Sequence, residues 1–279
     1  MLFRSVIAAV ILYFVSKAFR VIEDPRIDDV AGELPGANCG GCGFAGCRGL
    51  AEAIVKAGTL EGFNCPAGGS SVNENIAKIL GLEANVGEQM IAVLRCNGSC
   101  ENAPSKSLYD GAPTCAFANA LFAGESACPA GCLGYGDCVG VCGFDAIYID
   151  ETTKLPTIDN EKCVACGACV KACPRLLIEL RYKGKKDRRI FVACRNTEKG
   201  AVAKKNCNVA CIGCGKCVKT CTFEAITLNN NLAHIDYTKC KLCRKCVAEC
   251  PTHAIAECNF PPKKEKEAIL QTEKEAITN

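Results

Sequence analysis

Residues 163–174 read CVACGACVKACP and residues 240–251 read CKLCRKCVAECP, so four cysteines recur at spacings of two, two and three residues before a proline. A loop with this spacing wraps three thiolates around one corner of a [4Fe–4S] cubane, and the fourth cysteine ligates the other cluster of a pair. A third run has the same spacing and lacks only the proline: Cys211, Cys214, Cys217 and Cys221. The pattern predicts paired iron–sulfur clusters, which exchange single electrons.

A fourth run is irregular. It contains Cys132, Cys138 and Cys142, but Tyr135 occupies the place of its second cysteine. Cys128 is the nearest candidate for the missing ligand. A three-iron cluster also stays open, as does a ligand from Cys96, Cys100 or Cys115, because Cys207 stands at the matching place beside a run that is already complete.

Cross-ligation between runs assigns four sets of ligands. They are Cys163, Cys166 and Cys169 with Cys142; Cys211, Cys214 and Cys217 with Cys250; Cys240, Cys243 and Cys246 with Cys221; and Cys132, Cys138 and Cys173 with Cys128.

The cluster runs belong to an internal repeat. Cys115-x12-Cys128-x3-Cys132 matches Cys194-x12-Cys207-x3-Cys211, and a strand–turn–strand pattern lies between the two runs of each copy. The repeat predicts two tandem two-cluster ferredoxin-like units, over residues 115–180 and 181–258. Five further cysteines are left over: Cys96, Cys100, Cys115, Cys194 and Cys207. They could form a sixth metal site, or they could be small buried side chains. Cys258 is interpreted as a plain thiol.

A different cysteine group comes earlier in the chain. Its four members converge if a helix forms near residues 50–56: Cys39, Cys42, Cys47 and Cys65. This predicts a small helical domain over residues 30–70 with a fifth [4Fe–4S] cluster, although a structural zinc site has overlapping spacing. Residues 71–114 are interpreted as a connector with a helix over 72–82 and a strand over 91–94.

The N-terminus is continuously apolar from Val6 to Val15, and Leu2, Phe3, Ala18 and Phe19 extend this segment. At about 17 residues it is close to the shortest length that spans a bilayer. We expect residues 1–22 to form a single transmembrane anchor rather than a cleaved signal peptide, because no A-x-A site follows. Lys17 and Arg20 lie after the apolar stretch, so the long C-terminal part is expected in the cytoplasm. The overall fold class is then α+β, and residues 259–279 form a charged tail.

Several function classes are excluded. Cysteines at these spacings do not fit a disulfide scaffold. The sequence GCGFAG at 41–46 follows no predicted strand and is no nucleotide fingerprint. No general acid–base pair or activated nucleophile is recognisable, so no catalytic residues are assigned. No nucleic-acid partner is expected.

The order of these segments resembles the B subunit of the Rnf complex, the ion-translocating ferredoxin–NAD oxidoreductase of bacterial membranes. The stretch CGGCGFAGC at 39–47, after Asp24-Pro25 and before tandem ferredoxin units, carries the resemblance. It implies a protein of the cytoplasmic (inner) membrane that accepts electrons from soluble ferredoxin. The protein would relay them through five [4Fe–4S] clusters to flavin- and NAD-binding subunits. The pumped ion and the normal direction of electron flow stay open.

Two alternatives remain beside this interpretation. One is a polyferredoxin subunit of a hydrogenase or formate dehydrogenase complex, which the anchor and the Cys39–Cys65 group disfavour. The other is a zinc-binding structural protein, which would show no broad visible absorbance.

Overall fold

The computed structural model describes residues 10–15, 17, 24–83, 89–121 and 124–261, which fall into two compact units, 1–87 and 88–279. Residues 10–15 and 17 are helical, and the rest of the predicted anchor over 1–22 lies outside the described residues. Among the described residues, no helix is both long and apolar enough to cross a bilayer. Most of the predicted tail, from residue 262 onward, also lies outside them.

The first unit is helical and contains α1 (Arg26–Glu33), α2 (Cys47–Ala57) and α3 (Gly69–Leu80). Each helix buries one face in a common core that includes Val30, Leu50, Ile54 and Ile76. The second helix stops at Gly58, whose left-handed backbone (φ 63°) lets its N–H bond the carbonyl of Ile54 at 2.9 Å.

The connector expected over residues 71–114 is divided between the two units. Its helix is α3, which belongs to the first unit because Ile76 and Ala77 are buried in that core. Its strand is β1 (Met90–Leu94), which pairs antiparallel with β4 (Ile178–Tyr182) in the second unit. The four-cysteine domain is therefore longer than 30–70, and the first ferredoxin unit begins before residue 115.

In its described residues, 89–121 and 124–261, the second unit has four two-stranded antiparallel sheets with short helices between them. Besides β1 and β4, the strands are β2 (Ile147–Ile149), β3 (Pro156–Ile158), β5 (Arg189–Val192), β6 (Ile226–Asn229), β7 (Leu232–Ile235) and β8 (Ile255–Cys258). The helices are α4 (Cys115–Leu121), α5 (Asp137–Gly140), α6 (Ala168–Ala172), α7 (Gly200–Asn206), α8 (Lys216–Thr220) and α9 (Lys245–Ala248). A 3₁₀ turn covers Lys185–Asp187.

The two ferredoxin units repeat the same arrangement. In the first, β2 pairs with β3 and β1 with β4; in the second, β6 pairs with β7 and β5 with β8. Matching isoleucines face each other in the two hairpins, Ile147 with Ile158 and Ile226 with Ile235. The strand–turn–strand pattern between the cysteine runs is therefore present in both copies.

The two ferredoxin units are joined by a core of their own. Ile91 and Val93 of β1 pack with Phe191 and Ala193 at β5. Arg95 is buried beside them; its guanidinium bonds the carbonyls of Val192 (3.3 Å) and Cys194 (3.4 Å). Residues 89–121 and 124–261 thus form one body in which the units share a buried polar and apolar joint.

Candidate metal centres

Three cavities in the second unit are each lined by four cysteines. The sets are Cys142, Cys163, Cys166 and Cys169 (about 320 Å³); Cys211, Cys214, Cys217 and Cys250 (about 370 Å³); and Cys221, Cys240, Cys243 and Cys246 (about 320 Å³). These are the groupings that cross-ligation between the runs requires, with three thiols from one loop and one from the last cysteine of the partner run.

The loops that carry these thiols share one backbone conformation. Two residues after the first cysteine, the backbone of every run is left-handed: Gly134 (φ 79°), Ala165 (φ 55°), Gly213 (φ 66°) and Leu242 (φ 55°). It is left-handed again just before each following helix: Gly136 (φ 83°), Gly167 (φ 78°), Gly215 (φ 71°) and Arg244 (φ 64°). Because the irregular run shows the same pattern, Tyr135 sits in an intact cluster-binding loop.

The last cysteine of a run accepts a hydrogen bond from backbone further along the chain. The donor is the N–H four residues on, at 3.3–3.4 Å: Ala146 to Cys142, Leu177 to Cys173 and Ala254 to Cys250. A left-handed residue precedes each donor and turns it toward the sulfur: Asp145, Leu176 and His253. Such N–H groups favour thiolate over thiol and tune the reduction potential of a cluster bound there.

The fourth cavity differs from the expected ligand set. Its volume is about 400 Å³, including space open to solvent, and it is lined by Cys132, Cys138 and Cys173 together with Cys115, one of the alternatives that the sequence left open, and not by Cys128. Cys115 begins α4, and the carboxylate of Asp137 accepts the N–H groups of Cys115 (2.9 Å) and Ala116 (3.0 Å). Asp137 thus caps the start of α4 and holds the Cys115 thiol at the cavity.

Tyr135 stands in the chain where the other runs have a cysteine. Its side chain is not part of the cavity lining; its ring packs at 6.0 Å from that of Tyr109. Burial raises the pKa of the Tyr135 hydroxyl, and the charge of Glu125 adds to the increase. The signal that sequence reasoning missed was Asp137, an acid at the first helical position of this run, where the other runs have Ala168, Lys216 and Lys245.

Cys128 lies instead at a fifth cavity, of about 300 Å³, with Cys96, Cys194 and Cys207. The spare cysteines are therefore not scattered. Of the remaining two, Cys100 is exposed and its thiol donates to the carbonyl of Thr152 at 3.3 Å, and Cys258 is half-buried in β8.

In the first unit, Cys42, Cys47 and Cys65 all contact the helical core. Asn38 fixes the loop beside Cys39, because its side-chain oxygen accepts the N–H of Cys47 at 2.8 Å. Burial raises the pKa of the Cys65 thiol; the N–H groups of Gly68 and Ala67 oppose this, and Cys47 and Cys42 add to it. Three of the four expected ligands thus contact one core, and the fourth, Cys39, follows Asn38 in the chain.

The donor chemistry fits iron–sulfur clusters. All 26 cysteines are free thiols. Burial, and then the neighbouring cysteines, raise the pKa of Cys138, Cys169 and Cys217 to about 11 and that of Cys246 to about 12. A metal must therefore displace protons from these thiols. Within the described ranges, no three His, Cys, Asp or Glu side chains form a site for a single metal ion. The thiols line cavities of about 300–400 Å³.

Cavities lined by four thiols, paired as in two-cluster ferredoxins, define an iron–sulfur electron-transfer protein. Three family models agree: "Putative Fe-S cluster" matches residues 34–66, "4Fe-4S binding domain" matches 156–179 and "4Fe-4S dicluster domain" matches 210–256. Ferredoxin-like domains are thus present in both halves of the second unit.

Similar proteins cover most of the chain. It is 46% identical to the B subunit of the Na(+)-translocating ferredoxin:NAD(+) oxidoreductase complex of Acetobacterium woodii, over 88% of this chain and 72% of that protein. It is 41% identical to the B subunit of the ion-translocating oxidoreductase complex of Methanosarcina acetivorans, over 88% and 91%. It is 40% identical to the B subunit of the proton-translocating ferredoxin:NAD(+) oxidoreductase complex of Clostridium ljungdahlii, over 90% and 88%. The chain belongs to the family of B subunits of Rnf-type complexes, and the resemblance drawn from its motifs is confirmed.

Proposed function

We propose that this chain takes electrons from soluble reduced ferredoxin and delivers them to the flavin- and NAD-binding subunits of an ion-translocating complex. Each electron that the chain gains is lost by ferredoxin, and two electrons with one proton convert NAD⁺ to NADH on a different subunit. Ion translocation belongs to other subunits, and this chain makes or breaks no substrate bond. The observation that carries the proposal is the set of four-thiol cavities in ferredoxin-type pairs, in a chain related to Rnf-type B subunits over most of its length.

Five ligand sets are proposed for [4Fe–4S] clusters. They are Cys39, Cys42, Cys47 and Cys65; Cys115, Cys132, Cys138 and Cys173; Cys142, Cys163, Cys166 and Cys169; Cys211, Cys214, Cys217 and Cys250; and Cys221, Cys240, Cys243 and Cys246. A cluster supplies a carrier for one electron at a time. The chain's own part is to hold the thiols, exclude water from the cavities and aim N–H groups at the sulfurs.

The membrane and the path through the chain are proposed as follows. Residues 1–22 anchor the chain to the cytoplasmic membrane, with the C-terminal part on the cytoplasmic side, since Lys17 and Arg20 follow the apolar stretch. Electrons enter in the ferredoxin units, which are further along the chain from the anchor, and leave through the Cys39–Cys65 site. The names of the relatives, which include translocating complexes, support the membrane association.

The test is Cys47→Ala in the assembled complex, reconstituted in liposomes. We expect ferredoxin still to reduce the variant chain, because the ferredoxin units are untouched. We expect NADH formation driven by ferredoxin to fall at least 100-fold, because the exit site loses a ligand. The control is Cys100→Ala, which changes an exposed thiol outside all the cavities and should leave both measurements unchanged.

Two outcomes would count against the proposal. Normal NADH formation by the Cys47 variant would remove the Cys39–Cys65 site from the path. If reduced ferredoxin fails to transfer electrons to the wild-type chain, the proposed function itself is contradicted.

A further inference from the structure

We infer that Cys96, Cys128, Cys194 and Cys207 bind a sixth [4Fe–4S] cluster, at the joint between the two ferredoxin units. The four cysteines line a single cavity of about 300 Å³, close to the 320 Å³ of two of the regular cavities. The three family matches, over 34–66, 156–179 and 210–256, include none of them. Six such sets account for every cysteine except Cys100 and Cys258.

The site follows the internal symmetry of the chain. Cys96 comes two residues after β1, and Cys194 comes two residues after the matching strand β5. Cys128 and Cys207 each precede the first cysteine of a cluster run by four residues. Each ferredoxin unit therefore contributes one thiol from a strand end and one from the loop before its first run. The structural counterpart of Cys194 is Cys96, not Cys115 as the matching x12 spacings suggested.

Hydrogen-bond donors are aimed at the sulfurs of this cavity. The N–H of Cys132 donates to Cys96 (3.4 Å), and the N–H of Asn196 donates to Cys194 (3.4 Å). The side-chain amide of Asn196 lies 3.7 Å from the sulfur of Cys128, and only 1% of Asn196 is exposed. Three of the four sulfurs thus accept N–H groups, as Cys142, Cys173 and Cys250 do.

Glu198 holds Asn196 in this orientation. Its backbone N–H donates to the side-chain oxygen of Asn196 (2.8 Å), and its carboxylate accepts from the Asn196 amide (3.0 Å). The amide oxygen and nitrogen are therefore both fixed, and the nitrogen is left facing Cys128. Buried polar groups are hydrogen-bonded in native structures, and the second acceptor of the Asn196 amide nitrogen is the sulfur of Cys128.

The cavity wall leaves room for an inorganic core. A Cβ atom on Gly98 would lie 3.4 Å from the sulfur of Cys207 and 3.6 Å from that of Cys96, so both thiols face the same bare stretch of backbone. The remaining wall includes the small residues Ala130, Ala193 and Ala210. Backbone can approach a cluster closely only where side chains are this small.

Two arginines supply positive charge near the site. Arg195 lines the cavity, and its guanidinium donates to the carbonyl of Leu176 at 2.8 Å. Arg175 donates to the carbonyl of Gly131 at 2.5 Å and also lines the neighbouring cavity that contains Cys115. A cubane with four thiolates carries about two negative charges, which partly buried cations offset.

The position of the site indicates that it passes electrons between the two ferredoxin units. This role rests on the function proposed above. Cys132 lines the neighbouring cavity of the first ferredoxin unit, and its N–H bonds Cys96 directly. On the other side, Cys211 lines a cavity of the second unit, and its N–H faces the sulfur of Cys194. The sixth site therefore connects two cluster pairs that would otherwise stand apart, and residues 88–279 contain one row of five sites.

The first test is metal content of the full chain purified anaerobically. We expect about 24 iron and 24 acid-labile sulfide per wild-type chain, from six cubanes. Replacing one thiol from each ferredoxin unit, Cys128→Ala with Cys207→Ala, should lower both counts to about 20. The control, Cys100→Ala with Cys258→Ala, should keep about 24.

Two results would overturn the sixth cluster. One is a fully occupied wild-type chain with about 20 iron, a count that does not depend on the folding of any variant. The other is one zinc per wild-type chain that disappears in the Cys128/Cys207 variant, which would make the site a structural zinc centre.

The bridging role has its own readout. The wild-type chain is mixed with reduced soluble ferredoxin and followed by freeze-quench EPR. All clusters in residues 88–279 should become reduced in a single kinetic phase. In the Cys128/Cys207 variant, one group of clusters should be reduced at least tenfold more slowly than the other. Uniform reduction of the variant would overturn the bridging role, whereas failure of the wild type to be reduced would contradict the proposed function instead.

Discussion

At the scale of single residues, two side chains decide how the irregular site is completed. Tyr135 occupies the place of a cysteine in a loop whose backbone matches the other three runs. Cys115 supplies a thiol to the same cavity from the start of α4, where Asp137 holds it. The fourth cysteine at this cavity therefore comes from another element, while the loop has the same conformation as the other runs.

If Cys115 replaces the cysteine missing at Tyr135, a new cysteine at position 135 should compensate for the loss of Cys115. Cys115→Ala should lower the iron content of the chain by about 4, because one cubane loses a ligand. Tyr135→Cys in the same background should restore the iron, because the loop backbone at that position matches the regular runs. Iron analysis and EPR measure both changes. Full iron content in the Cys115→Ala chain would show that Cys115 is no ligand.

At the scale of secondary-structure elements, β1 and β4 bring three buried or half-buried charges together. Glu179 of β4 pairs with Arg95 (3.2 Å) and with Arg181, whose exposed fractions are only 7% and 3%. Arg181 also bonds the carbonyl of Ile235 at 3.1 Å, in the second ferredoxin unit. This group therefore ties the two ferredoxin units together at their joint.

Removal of the shared carboxylate should be costly. Glu179→Ala leaves two buried guanidinium groups without their carboxylate, which destabilises by about 3 kcal/mol. The midpoint of anaerobic thermal unfolding, followed by loss of cluster absorbance, should fall by about 6–12 °C. Lys183→Ala is the matched control on the same segment, because it removes a pair with the more exposed Asp187 and should cost under about 1 kcal/mol. Equal midpoints for the two variants would contradict this account of the joint.

At the scale of the whole molecule, the chain is divided into a small helical unit, 1–87, and a larger unit, 88–279, that contains both ferredoxin units. Helices α1 to α3 of the first unit follow the apolar N-terminal segment in the chain. The arrangement places the Cys39–Cys65 site next to the proposed anchor along the chain. The ferredoxin units come after it.

The anchor predicts how a shortened chain behaves. A chain without residues 1–22 should appear in the soluble fraction after cell lysis, because its apolar segment is gone. It should still be reduced by ferredoxin, since no cysteine is removed. Fractionation and stopped-flow reduction measure the two properties, and the Cys100→Ala chain with its N-terminus intact is the membrane-bound control. A shortened chain that stays with the membrane would assign attachment to other subunits or other residues.

Much of the architecture followed from local spacing. Each regular cavity is lined by three cysteines of one loop and one of the partner run, the same groups that chain spacing gives. Their ligation of clusters stays a prediction. The family resemblance rested on the equally local stretch at 39–47. The hairpins between the runs were predicted for the same reason, since both strands and their turn are contiguous in the chain.

Tertiary structure decided what distant segments contribute. Cys115 had to be brought to its cavity by α4, and Cys128 went to another cavity, although it is closer in the chain to the irregular run. The set of Cys96, Cys128, Cys194 and Cys207 is assembled from two strand ends and two loops of different ferredoxin units, so no spacing describes it. A lone cysteine in a sequence is equally consistent with a small buried side chain. Only packing of β1 against β5 shows which thiols face a common space.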